Sequence, residues 1–417
     1  METFSKLRER RCSSWRCGFE WTKRGSVERV RDADAVVFFS LDLYAQPLPP
    51  RKPHQLWIWL ELEAPPISQV ATGPWSTAEK NGIYFNMTMS YHHLNDILTL
   101  NSALKPLVTA AECPLTTENN LDISSVTYRK YVEHLRKYDD VMDTEGSVWN
   151  QKILSQREGI KSSGPNPQKE NSAMKNLVKD ERSIGPFSSN ETIEPSTVGL
   201  RSMAEKTNDS ARDEQMKDIF HFTEQEVKWA LRPKIAVWVA SNCQTDSKRE
   251  NLVAALQRHV RVTTVGKCGE LKCGRNHHDS FCYRWFGSSH LFYLSLENAL
   301  CEEYYSEKLW RPMEHNMVPI VYGGAKYNKI LPPGSYINVQ SYPNILALAK
   351  HLVYLSNNPV SYLRYLQWRR YWEVNEPLPW TCNLCSTLHK AAGVMDKRVT
   401  LDRWWNDTSD CYDPLLS

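Results

Sequence analysis

Phe292-Tyr293-Leu294-Ser295-Leu296-Glu297-Asn298-Ala299 is an apolar run that ends on an acid and an amide. Tyr304-Tyr305-Ser306-Glu307-Lys308-Leu309-Trp310 follows with a second acidic and basic pair. Met317-Val318-Pro319-Ile320-Val321-Tyr322-Gly323-Gly324 is another short apolar run, closed by two glycines. Continuous apolar runs of this length suit strands buried on both faces, as in a parallel sheet. The spacing predicts strand, polar site, helix, strand and glycine turn. In open α/β sheets ligands bind outside the carboxyl ends of the strands, which is where Glu297 and Asn298 fall.

Outward from that block, Ile235-Ala236-Val237-Trp238-Val239-Ala240 reads as a strand, Ser247 to His259 as a helix and Val260 to Val265 as the next strand. This β-α-β rhythm opens a doubly wound sheet. Lys248 and Arg249 fall in the first helical turn, where the macrodipole disfavours cations. Either a bound anion relieves that conflict or both side chains turn to water.

An earlier strand-rich unit contains Ala33 to Phe39 and Leu56-Trp57-Ile58-Trp59-Leu60-Glu61-Leu62-Glu63. Ala64-Pro65-Pro66 ends the second of these, since proline cannot continue a ladder. Glu61 and Glu63 are both strand-end acids, and alternation along a strand gives them the same facing. A helix is predicted over Leu121 to Asp143, with Tyr128, Val132, Leu135 and Tyr138 on one face. Between Asn150 and Asp218 the only aromatic is Phe187. A stretch so poor in apolar groups cannot offset the entropy of ordering and reads as a polar insert or linker. Asn344 to Leu355 and Val360 to Trp372 read as amphipathic helices.

The chain has 417 residues, is 41% hydrophobic and carries a net charge of +3. It is long enough for two or three domains. It lacks the concentrated basic stripe of a nucleic-acid binder, so none is expected as a partner. No run of about 18 apolar residues predicts a membrane span. There are eleven cysteines, and Asn-X-Ser/Thr acceptor sequences stand at Asn86, Asn190, Asn208 and Asn406. Together they point to a secretory lumen. In that setting Cys268, Cys273 and Cys282 read as disulfide partners rather than as zinc ligands with His277 and His278. Asp32-Ala33-Asp34 leads into a strand and is read as structural, with no metal assigned.

These motifs resemble the α1,3/4-fucosyltransferase family. Leu296-Glu297-Asn298-Ala299, Glu303-Tyr304-Tyr305-Ser306-Glu307-Lys308-Leu309 and Val318-Pro319-Ile320-Val321-Tyr322-Gly323 match its F-E-N-S, D-Y-x-T-E-K-L and V-P-V-V-x-G. Ser241-Asn242 and Arg249 match its V-S-N and following arginine. Arg311-Pro312-Met313 departs from it: with Ser306 as N-cap, Pro312 falls inside a helix, at a cost of about 3 kcal/mol unless the helix kinks. Ile83 to Tyr91 resembles the family's F-N-x-T-x-S/T-Y, but His92-His93 stands where the family has two arginines. That pair reads as a polar loop rather than a metal site. The resemblance covers about residues 12–105 and 234–405.

The resemblance implies a GT-B architecture, two Rossmann-like α/β domains facing across a cleft. The expected division is an acceptor-side domain at 1–143, a polar insert at 144–218, a GDP-fucose-binding domain at 219–373 and a tail at 374–417 that packs back on the first domain. It implies an inverting α1,3-fucosyltransferase acting on a GlcNAc residue of glycoprotein glycans. Glu63 would be the catalytic base. Ser241, Asn242, Arg249, Glu297, Asn298, Tyr304, Glu307 and Lys308 would bind the donor. No cofactor is expected to be essential, with a divalent cation such as Mn2+ at most a stimulant. The family consists of Golgi type II membrane proteins, so a chain without an anchor is expected to be truncated. The alternatives are a non-catalytic glycan- or nucleotide-binding protein on this fold, or a transferase using another nucleotide sugar. The family's terminal C-x-x-C matches Cys382 and Cys385. Long-range disulfides from these to Cys12 and Cys17 are expected, because under the chain-entropy model so long a loop is worth more than about 4 kcal/mol.

Overall fold

The computed structural model describes residues 9–12, 15–19, 30–40, 48–68, 83–99, 103–107, 127, 129–137, 222–273, 280–375, 380–390, 396–399, 401 and 410–414. The insert expected at 144–218 lies outside them, as do Asn190, Asn208, Asn406, His277 and His278.

A short antiparallel hairpin, β1 (Glu9–Cys12) and β2 (Trp15–Gly18), comes first. Strands β3 (Ala35–Phe39), β4 (Leu56–Leu60), β5 (Met87–Ser90) and β6 (Ile97–Leu98) then form a four-stranded parallel sheet in sequence order. All five residues of β4 are buried because both of its faces are covered. Trp57 and Trp59 pack with Phe38 and Phe85 on one face, while Ile58 and Leu60 pack with Met87, Met89 and Leu384 on the other. Leu384 belongs to the helix Trp380–Lys390, which packs on this face.

Strand β7 (Ala103–Pro106) belongs elsewhere: it pairs antiparallel with β13 (Trp372–Asn375). The helix at 129–137 buries Tyr131 and Leu135 among Leu309, Trp310, Trp368 and Trp372. Both elements pack against the second sheet rather than the first. Among the described residues the helix buries Tyr131 and Leu135, one turn apart, and Val132 is half-buried; Tyr128 and Tyr138 lie outside the described residues. The predicted helix Val360 to Trp372 is also shorter. It runs Pro359–Arg364, turns once more at Gln367–Arg370 and becomes β13 at Trp372.

The second sheet is parallel, in the order β12 (Ile337–Asn338), β11 (Val318–Tyr322), β10 (His290–Leu296), β8 (Lys234–Val239), β9 (Val262–Val265). The order reverses between β8 and β10, and that switch point opens a crevice at the carboxyl ends of the strands. The helices Arg249–Gln257 and Ile345–Asn357 cover one face, burying Leu252, Leu256, Leu348 and Leu352 on Trp238, Phe292 and Leu294. Two parallel α/β sheets thus meet at the site described below, the arrangement of a GT-B fold.

Four disulfides join described cysteines: Cys17 to Cys385, Cys243 to Cys268, Cys273 to Cys282 and Cys301 to Cys411. The bond between Cys17 and Cys385 spans 368 residues. Cys382 is disulfide-bonded too, and the side chain of Cys12 lies outside the described residues. The cysteines of the 268–282 loop are therefore used by sulfur bridges.

Candidate active site

Strand β4 ends at Leu60, and the strand alternation that would give Glu61 and Glu63 one facing ends with it. The two acids part there. Glu61 is wholly buried, its amide tied to the Met89 carbonyl at 3.0 Å and its Oε1 accepting the Glu63 amide at 2.9 Å. Burial pushes its pKa up to about 7. Glu63 instead reaches the other sheet. Its Oε2 accepts from the Tyr304 hydroxyl at 3.0 Å and from Asn298 Nδ2 at 3.3 Å. Tyr304 is buried against the Tyr91 ring, 5.0 Å between centroids. Burial, and after it the Glu63 carboxylate, holds the Tyr304 phenol well above its ordinary pKa, so it remains a donor.

At the end of β10, Glu297 is buried and its amide donates to the Tyr322 carbonyl at 2.9 Å. Glu297 Oε1 accepts from the Ser306 amide at 2.8 Å, and Ser306 Oγ donates to both carboxylate oxygens at 2.9 and 3.0 Å. Lys308 Nζ lies 2.7 Å from Ser306 Oγ, 3.4 Å from Glu297 Oε2 and 3.5 Å from Glu307 Oε1. Burial opposes the Lys308 charge, but Glu297 and Glu307 outweigh it and hold its pKa above the ordinary lysine value. Its side chain is 19% exposed, so a charged ammonium stands at the crevice. Glu307 is half exposed and touches the site through Lys308 alone among the bonds just named.

Gly323 and Gly324 allow this closeness. A Cβ at Gly323 would stand 2.4 Å from the Tyr327 hydroxyl, and one at Gly324 would stand 2.0 Å from the Cys301 carbonyl oxygen.

Ser306 is the N-cap of the helix Glu307–Glu314, and Pro312 lies inside it. Proline cannot donate to the carbonyl four residues back, that of Lys308. Ser295 Oγ donates to that carbonyl instead, at 2.7 Å. The helix stops after eight residues, so the departure from the family pattern is accommodated locally.

Around β8 the arrangement differs from the expectation. Ser241 and Asn242 are exposed and lie at the end of β8, several residues before the helix Arg249–Gln257 begins. Lys248 is the N-cap, in a left-handed conformation and exposed. Arg249 does not face water: it is 3% exposed, donating to the Leu296 carbonyl at 2.6 Å and to the Asn242 carbonyl at 3.3 Å. It neutralises carbonyl ends of two adjacent strands at the switch point. Beside it, an open cavity of about 500 Å³ is lined by Trp238, Cys243, Glu250, Thr264, Cys268 and Glu270 among others.

Sequence reasoning missed two contributors. Tyr91 backs Tyr304, and its place at the end of the Ile83 to Tyr91 segment was the signal that could have found it. Asn86, an apparent glycan acceptor, is fully buried. Its Oδ1 accepts the Trp57 amide at 2.8 Å and an Arg51 guanidinium proton, and its Nδ2 donates to the Lys397 carbonyl at 3.2 Å.

Two family models match the chain: Fucosyltransferase, N-terminal, over residues 4–101, and Glycosyltransferase family 10 (fucosyltransferase) C-term over residues 229–404. The chain belongs to glycosyltransferase family 10. Among curated proteins it is 37% identical over 161 residues to α-(1,3)-fucosyltransferase C of Drosophila melanogaster, covering 39% of this chain and 37% of that protein. It is 30% identical over 208 residues to GDP-fucose protein O-fucosyltransferase 3 of Gallus gallus, covering 48% of this chain and 42% of that one. The chain thus spans about two-fifths of the length of these relatives. A crystal structure of an α1,3-fucosyltransferase with GDP-fucose aligns with TM-score 0.33 and 21% identity, covering 49% of this chain and 60% of that chain. Among the described residues of this family 10 chain, no helix is long and apolar enough to cross a membrane.

Proposed function

We propose that this chain is an inverting α1,3-fucosyltransferase that moves L-fucose from GDP-fucose to a GlcNAc hydroxyl of glycoprotein glycans. The observation that carries this reading is Glu63, delivered by the first sheet and held by Tyr304 and Asn298 of the second. A base fixed at the junction of two sheets suits a reaction between two substrates, one on each side. Glu63 removes the proton of the attacking hydroxyl, whose oxygen bonds to the fucose anomeric carbon as the bond to GDP breaks on the opposite face. The β-linked donor thereby gives an α-linked product. Lys308 supplies positive charge toward the leaving diphosphate, where preorganised charge lowers the barrier. Arg249 positions the ends of β8 and β10 beneath it. The cavity beside Cys243 and Cys268 has room for the nucleotide base.

In this reading residues 30–99 form the acceptor side, residues 103–107, 127–137 and 222–375 the donor side, and the tail joins them. No metal is required for transfer, and a divalent cation such as Mn2+ acts as a stimulant only. The compartment is the Golgi lumen, in keeping with the disulfides. A GDP-release assay with GDP-fucose and a GlcNAc-terminated glycan tests the function; no release above donor hydrolysis would reject it.

A second acceptor is favoured by one observation. The Gallus gallus relative, matched over a longer stretch than the Drosophila protein, is named a protein O-fucosyltransferase. Transfer to a serine or threonine hydroxyl of a folded polypeptide, with none to the glycan, would select it.

A further inference from the structure

We propose that His92, His93 and Glu303 form a binding site for a divalent transition-metal ion, zinc by its donor set, which clamps the loop after β5 to the loop after β10. One donor atom from each residue lies within 4.8 Å of the others. Donors around a tetrahedral zinc ion at about 2.0–2.2 Å from the metal stand about 3.3–3.6 Å apart, between the 2.9 Å of the His93–Glu303 pair and the 4.8 Å limit of the set, so a small side-chain shift completes it. Imidazole nitrogens with a carboxylate are the ligands that zinc favours.

The three residues are already held together. His93 Nδ1 lies 2.9 Å from Glu303 Oε1, and the His93 amide donates to Glu303 Oε2 at 2.9 Å. The His92 ring lies 4.7 Å from that of His93 and accepts the Leu94 amide on Nδ1 at 3.3 Å. His92 is buried, so its ring is held in place rather than free to turn into solvent. The Glu302 and Asp410 carboxylates also face His92, giving the cluster a negative surround. Lys326 pairs with Glu302 at 2.5 Å and acts more weakly, through charge alone, on Glu303. Glu303 adopts φ 60°, a left-handed conformation that side chains disfavour, and it does so where its carboxylate meets His93. The exposed side of His93 leaves room for a water ligand. Arginine, which stands at this pair in the resembling family segment, cannot ligate. Among the described residues a second cluster, Cys17, Cys385 and His389, is unavailable because its sulfurs are bridged to each other.

Glu303 precedes Tyr304, so an ion here would steady the residue that holds Glu63 without taking part in transfer. The inference does not rest on the transferase reading, because binding is read without sugar nucleotide. The test is calorimetric titration of zinc into the chelator-treated full chain, with thermal unfolding and zinc-edge anomalous diffraction. One ion per chain is expected, with its anomalous peak at His92, His93 and Glu303 and a rise in Tm. His93→Ala and Glu303→Gln should each lower affinity at least tenfold and abolish the Tm rise, whereas His389→Ala should change neither. His93 is exposed, so its variant folds even if His92→Gln does not. Absence of stoichiometric binding, a peak elsewhere, or unchanged affinity in His93→Ala would overturn the proposal.

Discussion

The Ser295 hydroxyl donates at 2.7 Å to the Lys308 carbonyl, the one acceptor that Pro312 leaves without its helical donor. A buried carbonyl stripped of its partner costs about 1–3 kcal/mol. Ser295→Ala should therefore destabilise the fold by that amount in denaturant unfolding. In a Pro312→Ala background the helical amide returns, and the same substitution should cost about 1 kcal/mol less. Equal costs in both backgrounds would show that the hydroxyl is not compensating for the proline.

Glu63→Gln should keep nucleotide binding and lose at least about a hundredfold in transfer, the scale of general-base removal. Tyr304→Phe removes only one bond to the carboxylate and should lower kcat less, with little change in donor affinity. Single-turnover kinetics with calorimetry would separate these. Full activity in Glu63→Gln beside an inactive Glu61→Gln would transfer the base to Glu61.

Burial places the Glu61 pKa near 7, above its unfolded value near 4.5. The folded state then binds more protons than the unfolded chain between those values, so this group's stabilising contribution is complete below about pH 4.5. It is lost as pH rises toward and through 7. Unfolding free energy measured across that window should fall less steeply in Glu61→Gln than in the wild type. Parallel curves would mean that Glu61 titrates normally.

Lys308→Met should weaken GDP binding and also unfold at lower denaturant, because Glu297 is left buried with its charge unpaired. Glu297→Gln with Lys308→Met should recover much of the stability and none of the GDP affinity. Recovery of both would place Lys308 outside the nucleotide site.

Asn86 should carry no glycan although it heads an acceptor sequence, because its amide is buried and bonded on both ends. Peptide mapping of secreted protein checks this, and Asn86→Ala should cost about 1–3 kcal/mol by leaving the Trp57 amide unpaired. A glycan found on Asn86 would contradict this packing.

Local pattern was enough to reveal much of this chain. Buried parallel strands must be apolar on both faces, so Phe292 to Leu296 and Val318 to Tyr322 announced themselves, with Glu297 and Asn298 at their mouths. Ser306 as a cap, Pro312 as a problem and the glycine pair after β11 were equally visible, since each concerns bonds within a few residues. Contacts far apart in the chain were not. Nothing near Leu60 shows that the strand ends there and sends Glu61 inward and Glu63 across to Tyr304, 241 residues away. Nothing in the helix Arg249–Gln257 shows that Arg249 turns back onto the Leu296 carbonyl instead of toward solvent. Residues 103–107 and 129–137 read as the end of the first unit and pack on the second, because Trp368 and Trp372 offer the apolar surface that covers them. Periodicity along a chain reports which faces are buried, whereas which carboxylate meets which hydroxyl depends on how two separately formed sheets come to rest against each other.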